Sequence, residues 1–211
     1  MTLVAISASF GAGGSRVGPA LAERLGVPFL DRAIPLRVAA QLDVEPEVAA
    51  ARDGQPGSGR MEQLLRGFIG SDTGVPVPVP PESFTSEDFR QATEEVLRQQ
   101  AATGEGVILG RAAVVVLRED ARVLRVRLDG PQERRIEQAM AMAPELDRRA
   151  AERAARQTDR THADYARHLY GVDICDPMLY HLVVDSTELS VEACVELLAA
   201  AAAVRPGTAR S

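Results

Sequence analysis

The sequence predicts an α/β fold in which a parallel sheet is flanked by helices, and three observations carry that reading. An apolar run at residues 3–8 empties through a glycine-rich turn directly into a helical pattern. Further short apolar runs alternate with helical periods along the chain. The runs at residues 27–31 and 106–109 are nearly continuous rather than alternating, as expected of strands covered on both faces. In a doubly wound sheet of this kind, ligands are expected at the carboxyl ends of the strands.

The first strand leads into Gly11, Gly13 and Gly14, and Val17, Leu21 and Leu25 then recur at helical spacing. Pro19 is expected in the first turn of that helix, where a missing N–H costs least. A short strand at 27–31, ending in Asp31, and a helix at 32–42 follow. Residues 45–82 are an insertion rather than core. Positions 52–60 are rich in Gly, Pro and Ser, Met61, Leu64, Leu65 and Phe68 hint at a helix, and alternate prolines force 75–81 to be extended. With little to bury, residues 52–60 and 71–82 are expected to be mobile.

Residues 1–44 and 83–204 are expected to form the core, with 205–211 as a tail. Ser86 is placed to cap a helix beginning at Glu87 and ending by Gly104. A strand from 106 runs to Arg111. In the next, at 122–129, Arg125 and Arg127 share one face and Leu124, Val126 and Leu128 the other, which suggests a half-buried strand near the sheet edge. Helices are expected at 133–142, 145–158 and 161–169, then a loop at 171–177, a last strand at 181–185 and a closing helix at 190–203.

Strand, glycine turn and helix in that order form a phosphate cradle. Glycines let the backbone turn sharply and aim several N–H groups at one anion, and the helix N-terminus adds partial positive charge. Gly11, Ala12, Gly13, Gly14, Ser15 and Arg16 make up the expected cradle, with Ser15 as the hydroxyl for Mg²⁺. The pattern G-x-x-x-x-G-K-[ST] is nonetheless broken. Its first glycine falls on Ala8 or Ser9 and its lysine on Gly14 or Ser15, and all 24 basic residues of the chain are arginine. The nearest cation is Arg16.

A formal net charge of −6 argues against general attraction to nucleic acid or anionic membrane, so any anion binding must rest on local arginines. Cys175 and Cys194 fit neither a disulfide scaffold nor a zinc site, and no apolar run is long enough for export or membrane insertion. A cytoplasmic setting is therefore expected, with a small molecule as partner and a homodimer as one permitted assembly.

Three arginine-bearing places could converge on phosphate: the glycine turn with Arg16, Arg111 beyond its strand, and a stripe of Arg149, Arg153, Arg156 and Arg160, with Arg167 further along. Phosphoryl transfer asks mainly for positioning and for cations around the moving group. The competing account of the stripe is a solvated face held by Glu–Arg pairs four residues apart. Asp31 and Asp185 could meet Mg²⁺ through water, hold an arginine, or serve as caps, and Asp159 could orient Arg160. His162, His168 and His181 lack metal-ligand spacing. Packing is the ordinary account of Tyr165, Tyr170 and Tyr180.

Residues 6–14, the 29–32 strand end, Leu109-Gly110-Arg111, Thr158-Asp159-Arg160 and the stretch from Tyr165 through Gly171, Asp176-Pro177 and Tyr180 together resemble the cytidylate kinase-like branch of the nucleoside monophosphate kinases. The likeness spans residues 2 to about 200, except in detail 45–82. It implies a P-loop kinase-like fold with a helical acceptor-binding insertion and an arginine-rich lid at about 145–170. It also implies ATP at the glycine loop, with Mg²⁺, and CMP or dCMP as the first acceptor to try. On that reading Arg16, Arg156 and Arg160 are catalytic, and Asp31, Arg111 and Arg167 serve the acceptor. Two alternatives stand beside it: a nucleotide-binding sensor or partner module without turnover, and a kinase of a non-nucleotide small molecule.

Overall fold

The computed structural model describes residues 2–30, 86–110 and 113–204. Asp31, Arg111, the helix expected at 32–42, the whole 45–82 insertion and the 205–211 tail lie outside the described residues. Within them the chain runs β1 (Thr2–Ala8), α1 (Gly14–Leu25), β2 (Phe29–Leu30), α2 (Ser86–Ala102), β3 (Glu105–Leu109), α3 (Ala113–Val116) and β4 (Val123–Asp129). It continues with α4 (Gln132–Met142), α5 (Arg148–Tyr170), a 3₁₀ turn (Pro177–Leu179), β5 (Leu182–Asp185) and α6 (Val191–Ala203).

The five strands form one parallel sheet in the order β2-β3-β1-β4-β5. The apolar run of β1 is unbroken because both of its faces are covered. Val4 and Ile6 pack with Val17 and Leu21 of α1 and Leu198 of α6, whereas Leu3 and Ala5 pack with Leu97 of α2 and Val114 of α3. Each such fully buried Leu or Ile contributes roughly 1.5–3 kcal/mol relative to an exposed one. After β1 the chain goes to one side of it for β2 and β3 and then to the other for β4 and β5, so the carboxyl end of β1 is a topological switch point. The glycine turn is located there.

Four expectations need correction. β4 lies next to the edge strand β5, as expected, but it is buried on both faces rather than half-buried, and Arg127 on it is only 8% exposed. The helices expected at 145–158 and 161–169 are one helix of 23 residues, because no Gly or Pro separates them. That helix starts at Arg148 rather than 145, since the Asp147 carboxylate caps it by accepting the Ala150 N–H at 2.7 Å. Pro19 stands six residues into α1, in the second turn, since Gly13 in the left-handed region caps the helix and Gly14 opens it. Tyr165 and Tyr180 are buried in the core as packing residues, and among the described residues no helix is long and apolar enough to cross a membrane.

Candidate functional site

The glycine turn is fixed from outside by three side chains that are remote in sequence. The buried Arg135 guanidinium on α4 donates to the Phe10 carbonyl at 2.8 Å and to the Gly130 carbonyl at 2.9 Å. The buried Ser186 hydroxyl, just beyond β5, donates to the Ala12 carbonyl at 2.8 Å. Across a trans peptide the C=O and N–H point in opposite directions. Holding the Phe10 and Ala12 carbonyls outward therefore turns the Gly11 and Gly13 N–H groups to the other side. Among the described residues, the N–H groups of Gly11, Gly13, Gly14 and Ser15 take no part in the hydrogen bonds of the turn. Four such donors at a helix N-terminus are the elements of an anion site.

Asp159 of α5 completes the bracket around residue 10. One carboxylate oxygen accepts the Phe10 N–H at 2.8 Å and the other accepts from Arg135, also at 2.8 Å. Asp159 thus pairs with Arg135 and not with Arg160, whose own neighbour is Asp164 at 3.5 Å. Gly11, at φ 75°, lies so close to α4 that a Cβ on it would stand 2.1 Å from the Arg135 carbonyl oxygen. Behind the turn, Arg127 donates to the Ser9 hydroxyl at 2.9 Å and pairs with Asp129, its guanidinium lying 5.9 Å from the Tyr180 ring centre. Burial opposes its charge, yet Asp129 and the Tyr180 hydroxyl more than offset that and raise its pKa.

These constraints frame a cavity of about 220 Å³ at the carboxyl ends of β1 and β3, lined by the turn glycines, Ser9, Ser15, Leu109, Met142 and His162. Of the expected cradle, Gly11, Gly13, Gly14 and Ser15 line it, while Ala12 is buried and braces Ser186. Gly14 cannot carry the missing lysine: a Cβ there would meet the Ala8 Cβ at 2.6 Å and Leu109 Cδ1 at 3.1 Å. Arg16 is exposed and is not a lining residue. The Glu192 carboxyl of α6 is held below its ordinary pKa first by its own backbone N–H, then by Ser190 and by Arg16.

Arg156, Arg160 and Arg167 on α5 have side chains 61%, 82% and 64% exposed and do not line the cavity. Glu152 stands 4.0 Å from Arg156, as the solvated-face account requires. Asp185 neither caps a helix nor lines the cavity. It accepts from the Thr187 hydroxyl and N–H and pairs with Arg134 at 2.7 Å. The Thr187 hydroxyl, followed by its N–H and by Arg134, holds the Asp185 carboxyl below the ordinary range.

The donor set suits polyphosphate, since the turn offers four N–H groups that take no part in its own hydrogen bonds, held in place by glycines packed too closely on the protein to carry a Cβ. For Mg²⁺ the described lining residues supply the Ser15 hydroxyl and no carboxylate. A hydrated ion carried largely by phosphate oxygens matches that supply. Sequence reading missed Arg135 and Ser186, and weighed His162 only as a metal ligand. A doubled Arg134-Arg135 and a Ser in a turn look solvated until the fold brings them under residues 10 and 12.

The sequence model of the cytidylate kinase-like family matches residues 3–188. No curated protein matches the chain at a significant level. Among solved structures, an uncharacterized protein from Eubacterium ventriosum superposes with a TM-score of 0.67 at 16% identity, covering 97% of this chain and all of that one. A gluconokinase from Sinorhizobium meliloti gives 0.53 at 17% identity, covering 96% of this chain and 91% of the other. A sugar kinase from a Janibacter species gives 0.50 at 17% identity, covering 100% and 99%. At these identities the structural likeness speaks to the fold.

Proposed function

This chain belongs to the cytidylate kinase-like family, and from that premise we propose that it transfers a phosphoryl group from ATP to a small molecule, with CMP and dCMP the first acceptors to test. The observation that carries the reading is the turn at the end of β1, where four N–H donors are left for an anion while the carbonyls between them are tied outward. ATP supplies the phosphoryl group and Mg²⁺ would offset its charge. The chain's own part is to hold the polyphosphate on Gly11, Gly13, Gly14 and Ser15 and to exclude water around it. Arg156 and Arg160 act as lid cations that reach the phosphates only on closure of α5, and Arg111, Asp31 and Arg167 serve the acceptor. Positioned donors and cations supply most of what this chemistry needs.

A panel of nucleotides screened by thermal shift, followed by ATP-consumption assays with each nucleoside monophosphate and with gluconate and other sugars, tests the proposal. Stabilisation by ATP and consumption dependent on one acceptor support it. Stabilisation without consumption favours the second reading, a nucleotide-binding module, to which the exclusion of a lysine side chain at Gly14 lends weight. No stabilisation by any nucleoside triphosphate contradicts both.

A further inference from the structure

A polyphosphate held on backbone N–H groups is bound more tightly where a positive or strongly donating side chain stands beside them, and the structure narrows the choice. The chain has no lysine, and the close packing of Gly14 on Ala8 and Leu109 leaves no room for one at that position. Arg16 is exposed and does not line the cavity. The stripe arginines lie on the solvent side of α5 beside Glu152 and Asp164, and on the proposed function they reach the phosphates only on closure. Arg127 and Arg135 lie behind the turn, paired with Asp129 and Asp159, and do not line the cavity.

The one ionisable side chain among the described residues that line the cavity is His162, half-buried beside Ser9, Gly11, Gly13, Gly14 and Ser15. Its position follows from the Asp159 bracket. Residues three apart on a helix share a face. The bond from the Phe10 N–H to Asp159 therefore brings the next turn of α5 against the glycines, and that turn carries His162.

We propose that His162 contacts the terminal phosphates of the donor, the role a loop lysine fills in the usual pattern, and that Asp159 is the positioning residue that sets α5 so that it can. The inference rests on the donor reading of the cavity. An imidazole donates one N–H when neutral and two when protonated, and the protonated form makes charge-assisted bonds to phosphoryl oxygens. A neighbouring polyphosphate favours that protonated form.

The test compares ATP affinity by titration calorimetry in the full-length wild type, His162→Ala and His162→Arg, with melting temperature as a check on folding. His162→Ala is expected to weaken ATP binding by about 10-fold or more, as for loss of a hydrogen bond to a charged group. His162→Arg, which keeps a donor and a charge, is expected to stay within about threefold of wild type. Asp159→Ala should weaken ATP binding as His162→Ala does, and the two changes together should cost less than the product of their separate effects. Equal affinity of wild type and His162→Ala would overturn the inference while leaving the donor site intact. Equal losses in His162→Ala and His162→Arg would also overturn it, because they would mark a packing role. Absence of ATP binding by the wild type would overturn the donor reading itself, and this inference with it.

Discussion

Replacing Gly11 by alanine should be far more damaging than the same change at Gly26, although both glycines lie in the left-handed region, at φ 75° and 66°. The backbone penalty is common to the two sites, roughly 1–2 kcal/mol for an L residue there. At Gly26 nothing lies within 4 Å of the added Cβ, so the penalty stops at that figure. At Gly11 the Cβ would stand 2.1 Å from the Arg135 carbonyl oxygen, inside the 3.0 Å that Cβ contacts respect, so α4 must retreat by most of an ångström. That movement pulls the Arg135 guanidinium from the Phe10 carbonyl or from Asp159, each bond being worth about 1.5–3 kcal/mol. The expected total is about 2.5–5 kcal/mol for Gly11→Ala against about 1–2 for Gly26→Ala. At about 2–4 °C per kcal/mol for a chain of this size, thermal melts by circular dichroism separate the two readily. Equal melting temperatures for the two variants would refute the claim that the turn is held against α4.

Gly14→Lys, which restores the lysine in one register, should lower the melting temperature and gain no ATP affinity, because its side chain must displace Ala8 and Leu109; a tighter-binding variant would contradict this geometry. Gly13→Val should abolish ATP binding measured by calorimetry, as a branched side chain at φ 75° is strained and its Cβ would meet Gln138 Nε2 at 2.8 Å, which displaces the turn that presents the N–H groups; an unchanged affinity in the folded variant would remove the donor from this turn. Arg156→Ala or Arg160→Ala should lower kcat by at least ~100-fold with little change in ATP affinity, and Arg111→Ala should raise the acceptor KM; wild-type turnover in both lid variants would leave the stripe as a solvated face. The Tyr170 phenol is pushed up to about 12, first by burial and then by Glu94. Its contribution to stability is complete below the unfolded value of about 10 and is lost as pH rises through the folded one. Tyr170→Phe should flatten that alkaline loss in melting temperature, and an unaltered pH profile would argue against it.

Strand β1, the glycine turn and α1 were legible in the sequence because their signals are local: an apolar run, glycines and a helical period within 25 residues. Arg127 was misjudged because alternation with Leu124, Val126 and Leu128 reads as a solvated face. In the fold β4 is covered on both sides, and the arginine is accommodated by Asp129, the Ser9 hydroxyl and the face of Tyr180. The partner of Asp159 could not be inferred from its neighbours in sequence, since the Phe10 N–H is 149 residues away and Arg135 is on a different helix. His162 was weighed only as a metal ligand and set aside for want of the spacing. Its significance comes only from the way α5 is docked on the turn. The same holds for Ser186, whose hydroxyl reaches a carbonyl 174 residues away.

The account turns on where the donor's phosphates lie, and backbone amide chemical shifts followed while ATP is titrated into isotopically labelled protein report that directly. The largest changes are predicted at the N–H groups of Gly11, Gly13, Gly14 and Ser15. Saturable binding that leaves those four amides unmoved and shifts others instead would contradict the central claim.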